Sequence, residues 1–304
     1  MQIGMIGLGK MGGNMARRLR QSNVKVVGYN LDTSATDALA EEVGLTPAES
    51  TEGLVGELKA PRLVWLMLPA GEITESYVQE LGELLAPGDI LIDGANSYYK
   101  DSMRRGADLA GKGIHYIDAG VSGGVWGLEN GYALMVGGAD EAFAQLQPII
   151  EILAPGKDRG WVHTGPVGSG HFVKMIHNGI EYGMMQAYAE GFALMKGRED
   201  FNLDLAEIAE TWRHGSVVRS WLLDLSAEVL ASDQELDGVE PFVADSGEGR
   251  WTALESIEQG IPTPVMSLAL MSRFSSQGQQ DYADKLLAMM RNQFGGHAVR
   301  SADE

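Results

Sequence analysis

Residues 3–13 read "IGMIGLGKMGG", and the spacing of their glycines decides what kind of domain opens the chain. Gly7, Gly9 and Gly12 stand in G-x-G-x-x-G order directly after the apolar run from Met1 to Ile6. Alone, that pattern also fits a glycine-rich turn with no ligand. Its surroundings raise its weight: "GNMARRLRQS" behind it reads as a helix, and "VKVVGYN" after Asn23 as a second β-rich run. Strand, glycine turn, helix and strand within about 30 residues make the βαβ unit that binds dinucleotides. The first glycine permits a tight turn, the second lets the backbone approach a pyrophosphate, and the third lets helix and strand pack closely. The helix N-terminus then presents its unpaired N–H groups to the anion.

Further strands follow at the spacing of an α/β protein, as "RLVWLMLP" (62–69), "DILIDGAN" (89–96), "IHYIDAG" (114–120) and "YALMVGG" (132–138). Helical stretches separate several of them, which predicts a Rossmann-like doubly wound sheet over residues 1–166. Pro69-Ala70-Gly71, Asn96-Ser97 and Ser122-Gly123-Gly124 fall at the C-terminal strand ends, the edge where such sheets bind ligands. The candidate cofactor residues are Gly7, Gly9, Met11, Gly12, Asn30, Asp32, Leu68 and Asn96. At the end of the second strand Asp32 is placed to bind ribose hydroxyls and repel a 2′-phosphate, and no Arg stands at 31 to 34. NAD rather than NADP is therefore expected. Asp32 can equally be the N-cap of the next helix, which would leave the preference undecided.

From Gly168 onward the strand signal fades. "GHFVKMIHNGIEYGMMQAYAEGFALMKG" reads as one long helix, and amphipathic stretches follow at 203–212, 216–231, 251–258, 265–275 and 279–292. An all-helical domain over 167–290 is expected, with a tail at 291–304; the longest loop-like interval is "GVEPFVADSGEGRWT". Within the long helix, Lys174, His177, Asn178, Glu181 and Tyr182 fall at i, i+3, i+4, i+7 and i+8, a single face. Such a stripe is normally apolar. Three readings compete for it: a solvent face, satisfied burial against a neighbouring domain, or a catalytic face. A surface ion pair favours i,i+4, whereas Lys174 and Glu181 lie seven apart, about 10.5 Å along the axis.

The 304 residues allow one large domain or two ordinary ones. They include no cysteine, which excludes disulfides, thiolate ligands and thiol catalysis. The histidines at 115, 163, 171, 177, 214 and 297 form no HxxxH or HExxH pattern, so a protein-bound metal is not expected. No apolar run approaches the roughly 20 residues of a membrane helix, and no leader pattern precedes "MQIGMIGLGKMGG"; a cytoplasmic location is the expectation. The formal net charge of -19 argues against nucleic acid and anionic membrane as partners. An anionic substrate would need positive residues gathered locally, because screening over about 8–10 Å leaves the local field in charge.

Several stretches together resemble one family. "GVSGGVWG" (120–127) and "GHFVKMIHNGIEYG" (170–183) are similar to signatures of the 6-phosphogluconate dehydrogenases. "GEGRWT" (247–252), "SRFSS" (272–276) and "RNQFGGH" (291–297) are similar to that family's later substrate-binding segments. The matches follow the family's order across nearly the whole chain, which resembles the short bacterial type. The resemblance implies oxidation of 6-phosphogluconate at C3 by hydride transfer, then loss of CO2 to leave ribulose 5-phosphate. It implies Lys174 as the base at the C3 hydroxyl and Glu181 as the acid that protonates C1 of the enediol, with Asn178 beside them. Asn96, Ser122, Gly123, Gly124, His177 and Asn178 would hold the carboxylate and hydroxyls. Tyr182, Arg250, Thr252 and Arg273 would hold the phosphate end. Arg291 and His297 would reach a neighbouring subunit's site in a homodimer or homotetramer, with the helical domain serving both substrate and assembly. Arg250 departs from the family, many members of which have Lys there. By type alone, Arg273 and Arg291 read as surface charges, Tyr182 as core and Ser122 as a turn residue. A related β-hydroxyacid dehydrogenase that only transfers hydride, such as 3-hydroxyisobutyrate dehydrogenase, needs neither Glu181 nor the arginines. A non-catalytic dinucleotide sensor needs neither Lys174 nor Glu181.

Overall fold

A computed structural model describes residues 1–295 and 298–300, and the chain divides into two compact units, Met1–His177 and one from Asn178 onward. The first unit runs β1 (Gln2–Ile6), α1 (Lys10–Gln21), β2 (Lys25–Tyr29), α2 (Thr33–Val43), β3 (Thr46–Pro47), α3 (Thr51–Gly56) and β4 (Leu63–Leu66). It continues through α4 (Glu72–Leu84), β5 (Ile90–Asp93), α5 (Tyr99–Ala110), β6 (His115–Ser122), α6 (Gly127–Asn130), β7 (Ala133–Gly137), α7 (Asp140–Leu153) and β8 (Trp161–Gly165). Among the described residues these strands form one eight-stranded sheet in the order β3-β2-β1-β4-β5-β6-β7-β8. All neighbours are parallel except β6 and β7, which pair antiparallel from Asp118↔Gly137 to Ser122↔Ala133.

Helices cover both faces, so the inner strands are apolar on both sides and read as continuous runs. Ile3, Met5, Val26, Trp65 and Ile92 pack with α1, α2 and α7 through Met15, Leu19, Leu39 and Leu146. Their neighbours Ile6, Val27, Val64, Leu66 and Leu91 pack with α3, α4 and α5 through Leu54, Leu81 and Leu109. The doubly wound sheet expected from the sequence is what forms. Two strands were not expected. β3 is a two-residue edge strand that includes Pro47, and β8 pairs only with β7. In β8, Trp161 and His163 pack on Phe143, with ring centroids 5.8 and 4.3 Å away. An edge strand with a single partner carries too little apolar pattern to stand out in sequence.

The long helix α8 (Ser169–Lys196) begins in the first unit and continues into the second. Beyond it the second unit contains α9 (Leu205–Arg213), α10 (Trp221–Ser232), α11 (Glu248–Gln259), α12 (Pro264–Ser276) and α13 (Asp281–Gly295). α11 starts earlier than the apolar pattern predicts and takes Arg250 into its first turn. α13 runs past residue 290. One small core gathers Leu205, Ala209, Leu223, Ala227 and Leu230 against Tyr188, Phe192 and Met195 of α8. A second gathers Tyr182, Ala269 and Leu270 with Ala253 and Phe274. No helix among the described residues is long and apolar enough to cross a membrane.

A charged network locks the C-terminal edge of the sheet. Asp93, at the end of β5, accepts hydrogen bonds from Tyr116 Oη at 2.6 Å, Ser97 Oγ at 2.9 Å, Ala95 N at 2.9 Å and Arg105 at 3.0 Å. Burial alone would raise its pKa, but the charges of His171 and Arg105 and the hydrogen bonds outweigh it and keep it below the ordinary value. Arg105, 1% exposed, also donates to Glu75, as does Arg104 through two nitrogens. The Arg104 hydrogen bonds, followed by Arg105, pull Glu75 from 4.5 to about 2. A depressed carboxylate stabilises the fold above its unfolded pKa, and that stability is lost as pH falls through the folded value. The stability gap between the native chain and Glu75→Gln should therefore shrink between pH 4.5 and about 2, by about 2 kcal/mol. Urea unfolding across that range checks this, and a gap independent of pH would exclude it.

Candidate active site

Strand order reverses between β1 and β4, and in open α/β sheets ligands bind outside the strand ends at that point. The glycine turn after β1 lies there. A methyl group on Gly7 would stand 2.3 Å from the Met67 carbonyl oxygen, and one on Gly12 2.0 Å from the Gly7 carbonyl oxygen. Gly9, at the N-cap of α1, is different: a methyl group there would meet nothing within 4 Å. Open space in front of a bare helix N-terminus is the cradle a pyrophosphate requires. Leu8 N donates to Asn30 Oδ1 at 2.9 Å and Asn30 Nδ2 donates to the Asp32 carbonyl at 2.9 Å, so Asn30 ties the glycine turn to the end of β2. Leu68 stands beside Gly7, while Met11 packs on the core beneath α1. Asp32 caps α2, accepting from Ser34 N at 3.0 Å, and this hydrogen bonding to Ser34 lowers its pKa.

Across the same sheet edge, Asn96 (φ 53) occupies the left-handed region, which Asn tolerates better than most residues. Its side chain accepts from Val121 N at 2.8 Å and donates to Val121 O at 3.1 Å. Asn96 is thereby fastened one residue from Ser122, where β6 ends in Gly123 and Gly124.

The start of α8 rests on the backbone of β6 and β7. Asp118, fully buried in β6, accepts from Gly168 N at 2.7 Å and His171 N at 2.8 Å, so a carboxylate caps the helix. Burial raises the Asp118 pKa; the charge of His171 and the two backbone donors pull the other way. His171 Nδ1 pairs with Ser102 Oγ at 2.7 Å, and its Nε2 is buried without a hydrogen-bond partner. One turn on, Lys174 is 5% exposed, and a methyl group on Gly120 would lie 2.4 Å from its Cβ. Asp93, Asp118 and His171 escaped the sequence reading. The signal that could have found the aspartates is a carboxylate in a strand otherwise buried on both faces, since such groups are almost never fully buried unpaired.

The stripe on α8 is not a solvent face. Lys174 and Tyr182 are buried and His177, Asn178 and Glu181 half-buried, while Val173, Ile180, Met184 and Met185 are exposed. The usual arrangement is inverted, with the polar face turned inward.

In the second unit, Tyr182, Arg250 and Arg273 come together. The Arg273 guanidinium lies 3.4 Å from the centroid of the Tyr182 ring, and Arg250 lies 4.3 Å from that of Phe274. Both arginines bond to the loop ahead of α11, Arg250 through Asp245 and Arg273 through the Ala244 carbonyl. Thr252 is apart in character, 2% exposed with its hydroxyl donating back to Glu248 O at 2.8 Å. Arg291 is exposed on α13, and His297 lies outside the described residues. The described residues contain no cluster of three His, Asp or Glu placed to hold a metal ion.

A dinucleotide-binding sheet followed by a helical unit, joined by a helix with a buried lysine, is the build of a dinucleotide-dependent dehydrogenase. Residues 2–165 match the NAD binding domain of 6-phosphogluconate dehydrogenase, and residues 170–304 match its C-terminal domain. The chain belongs to the 6-phosphogluconate dehydrogenase family. It is 40% identical over 306 residues to the NAD(+)-dependent, decarboxylating 6-phosphogluconate dehydrogenase of Haloferax volcanii, covering 100% of each chain. It is 36% identical over 293 residues to the NADP(+)-dependent enzyme of Bacillus subtilis, covering 92% of this chain and 62% of that one. Among solved structures it resembles Plasmodium falciparum 6-phosphogluconate dehydrogenase, described with its cofactor NADP+ and its substrate 6-phosphogluconate. There the TM-score is 0.85 at 31% identity, covering 100% of this chain and 67% of that one.

The glycines separate fold from binding. Gly12→Ala should destabilise the chain by about 3 kcal/mol, because its methyl group meets backbone. Gly9→Ala should cost within about 1 kcal/mol yet weaken dinucleotide binding at least tenfold, because only a ligand occupies that space. Urea denaturation and a fluorescence titration with NADH check this pair, and undiminished NADH affinity in Gly9→Ala would contradict the cradle.

Proposed function

We propose that the chain oxidises and decarboxylates 6-phospho-D-gluconate to D-ribulose 5-phosphate and CO2, with NAD+ as hydride acceptor. The observation that carries this reading is the inward polar face of α8, with Lys174 at 5% exposure. Lys174 accepts the C3 hydroxyl proton, a role that requires its amine to be neutral when the substrate binds. When bound, the oxidised nicotinamide supplies the acceptor for the C3 hydride. The resulting β-keto acid loses CO2 while protonated Lys174 stabilises the charge that develops on the C3 oxygen. Glu181 then protonates C1 of the enediol. The two carbons are bonded neighbours, so the long side chains of Lys174 and Glu181, from one face of α8, converge on them from two turns apart.

Asn96, Ser122, Gly123, Gly124, His177 and Asn178 orient the carboxylate and hydroxyls. Tyr182, Arg250, Thr252 and Arg273 take the phosphate end, where the two arginines supply the local positive charge that a chain of net charge -19 needs for an anionic substrate. NAD is favoured over NADP because the exposed Asp32 carboxylate stays ionised beside the ribose position even while it caps α2. A homo-oligomer is favoured by apolar side chains left exposed on α12 and α13, among them Val265, Leu268, Tyr282 and Leu287. Arg291 and His297 are assigned to a neighbouring copy's site.

The test is 6-phosphogluconate with NAD+ and with NADP+ separately, following reduced cofactor and CO2; release with NAD+ is expected, and no CO2 with either removes the proposal. Glu181→Gln should lower decarboxylative turnover about 100-fold while NAD+ affinity holds within about twofold. Parallel loss of NAD+ affinity would make Glu181 a structural residue instead.

A further inference from the structure

Three of the four side chains assigned to the phosphate, Tyr182, Arg250 and Arg273, converge on three consecutive residues, Ala244, Asp245 and Ser246, in the loop ahead of α11. Arg250 Nε and Nη2 donate to Asp245 Oδ1 and Oδ2 at 2.8 and 3.0 Å, a two-point fork. Arg273 Nη1 donates to the Ala244 carbonyl at 2.8 Å. Ser246 N donates to Tyr182 Oη at 3.4 Å, and Ser246 Oγ donates to Glu248 Oε2 at 2.6 Å. One residue earlier, Val243 is tied to Ser276 and Gln277 at the end of α12, so the loop is held on both sides of the cluster.

The fork is asymmetric in exposure. The Asp245 side chain is 8% exposed and that of Arg250 53%. The carboxylate sits on the protein side, and the hydrogen bond from Arg250 holds its pKa below the ordinary value, with the charges of Arg250 and Arg273 adding to it. The fork uses Nε and Nη2, which leaves Nη1 outside it on a side chain that is half exposed. Phe274 supports the plane of the same group. A planar guanidinium fixed on one edge and one face presents its remaining edge without the rotamer search a loose arginine would make. A carboxylate that merely occupied the phosphate's place would lie on the outer edge, in water.

We propose that Asp245 is the positioning residue that aims Arg250 at the phosphate of the substrate. The proposal rests on the reading of Arg250 as a phosphate ligand. It also gives the departure from lysine at this position a physical sense, since only a fork-shaped cation can be gripped on one edge and offer another.

A double-mutant cycle tests it, with Asp245→Asn, Arg250→Ala and the pair. Asp245→Asn should raise the KM for 6-phosphogluconate about tenfold with kcat and the KM for NAD+ little changed. In the Arg250→Ala background it should add nothing further, because Asp245 acts through Arg250. Full additivity would overturn the assignment by making Asp245 an independent structural residue. An unchanged KM would overturn it too, and a lowered KM would make Asp245 a competitor of the phosphate. If the unaltered chain releases no CO2 from 6-phosphogluconate, the functional reading falls, and calorimetry with inorganic phosphate carries the same cycle. Weaker phosphate binding in Asp245→Asn, and none in Arg250→Ala, then supports the assignment; binding unaffected by either overturns it.

Discussion

Where α8 begins, helix backbone and sheet backbone approach more closely than any side chain would allow, and the candidate chemistry of the first unit depends on that approach. A methyl group on Gly170 would stand 2.4 Å from the Asp118 carbonyl oxygen, and one on Gly137 2.7 Å from Gly170 N. With those side chains missing, the first turn of the helix lies on β6 and β7, and Lys174 is pressed against Gly120. Asp118 completes the joint by binding two backbone N–H groups that a helix start leaves without partners. A lysine placed this way is desolvated by main chain that cannot move aside, which keeps it buried without depending on the rotamers of neighbouring side chains.

The same sheet edge is stiffened twice more. Asp93 and Arg105 clamp β5, α5 and β6 from beneath, and Asn96 exchanges two hydrogen bonds with Val121 above them. Each of these groups is polar, buried or half-buried, and bonded, so each is costly to misplace and serves to fix one arrangement. In the second unit the method differs. There Arg250 is exposed and Arg273 half-buried, and both are held by a loop, each against an aromatic ring, rather than by burial in a core.

Charge is organised at the same two scales. A chain of net charge -19 repels anions at long range, and in the second unit Arg250 and Arg273 gather positive charge locally beside one loop. Asp245 offsets part of that charge while holding Arg250 at two points.

The dinucleotide unit was legible from the sequence because each of its signals is local: Gly7, Gly9 and Gly12 follow one strand and open one helix, and the strand runs are apolar because both faces are covered. Edge strands β3 and β8 were not, since a strand with one partner carries half the pattern. The long helix and the period of its polar stripe were equally visible. Which way that stripe turned was not, because periodicity assigns residues to a face and says nothing of what the face meets. Nor does spacing disclose that Asp118 caps α8 from 50 residues away or that Asp245 grips Arg250 at the edge of a loop. By itself the sequence determined the order of the inner strands and the long helix, the glycine turn after β1 and the residue types available for chemistry. Only the tertiary structure decided that Lys174 is buried against Gly120 and that Tyr182, Arg250 and Arg273 share one strap. Those outcomes depend on contacts between residues far apart in the chain, and burial and hydrogen bonding are properties of such contacts rather than of local pattern.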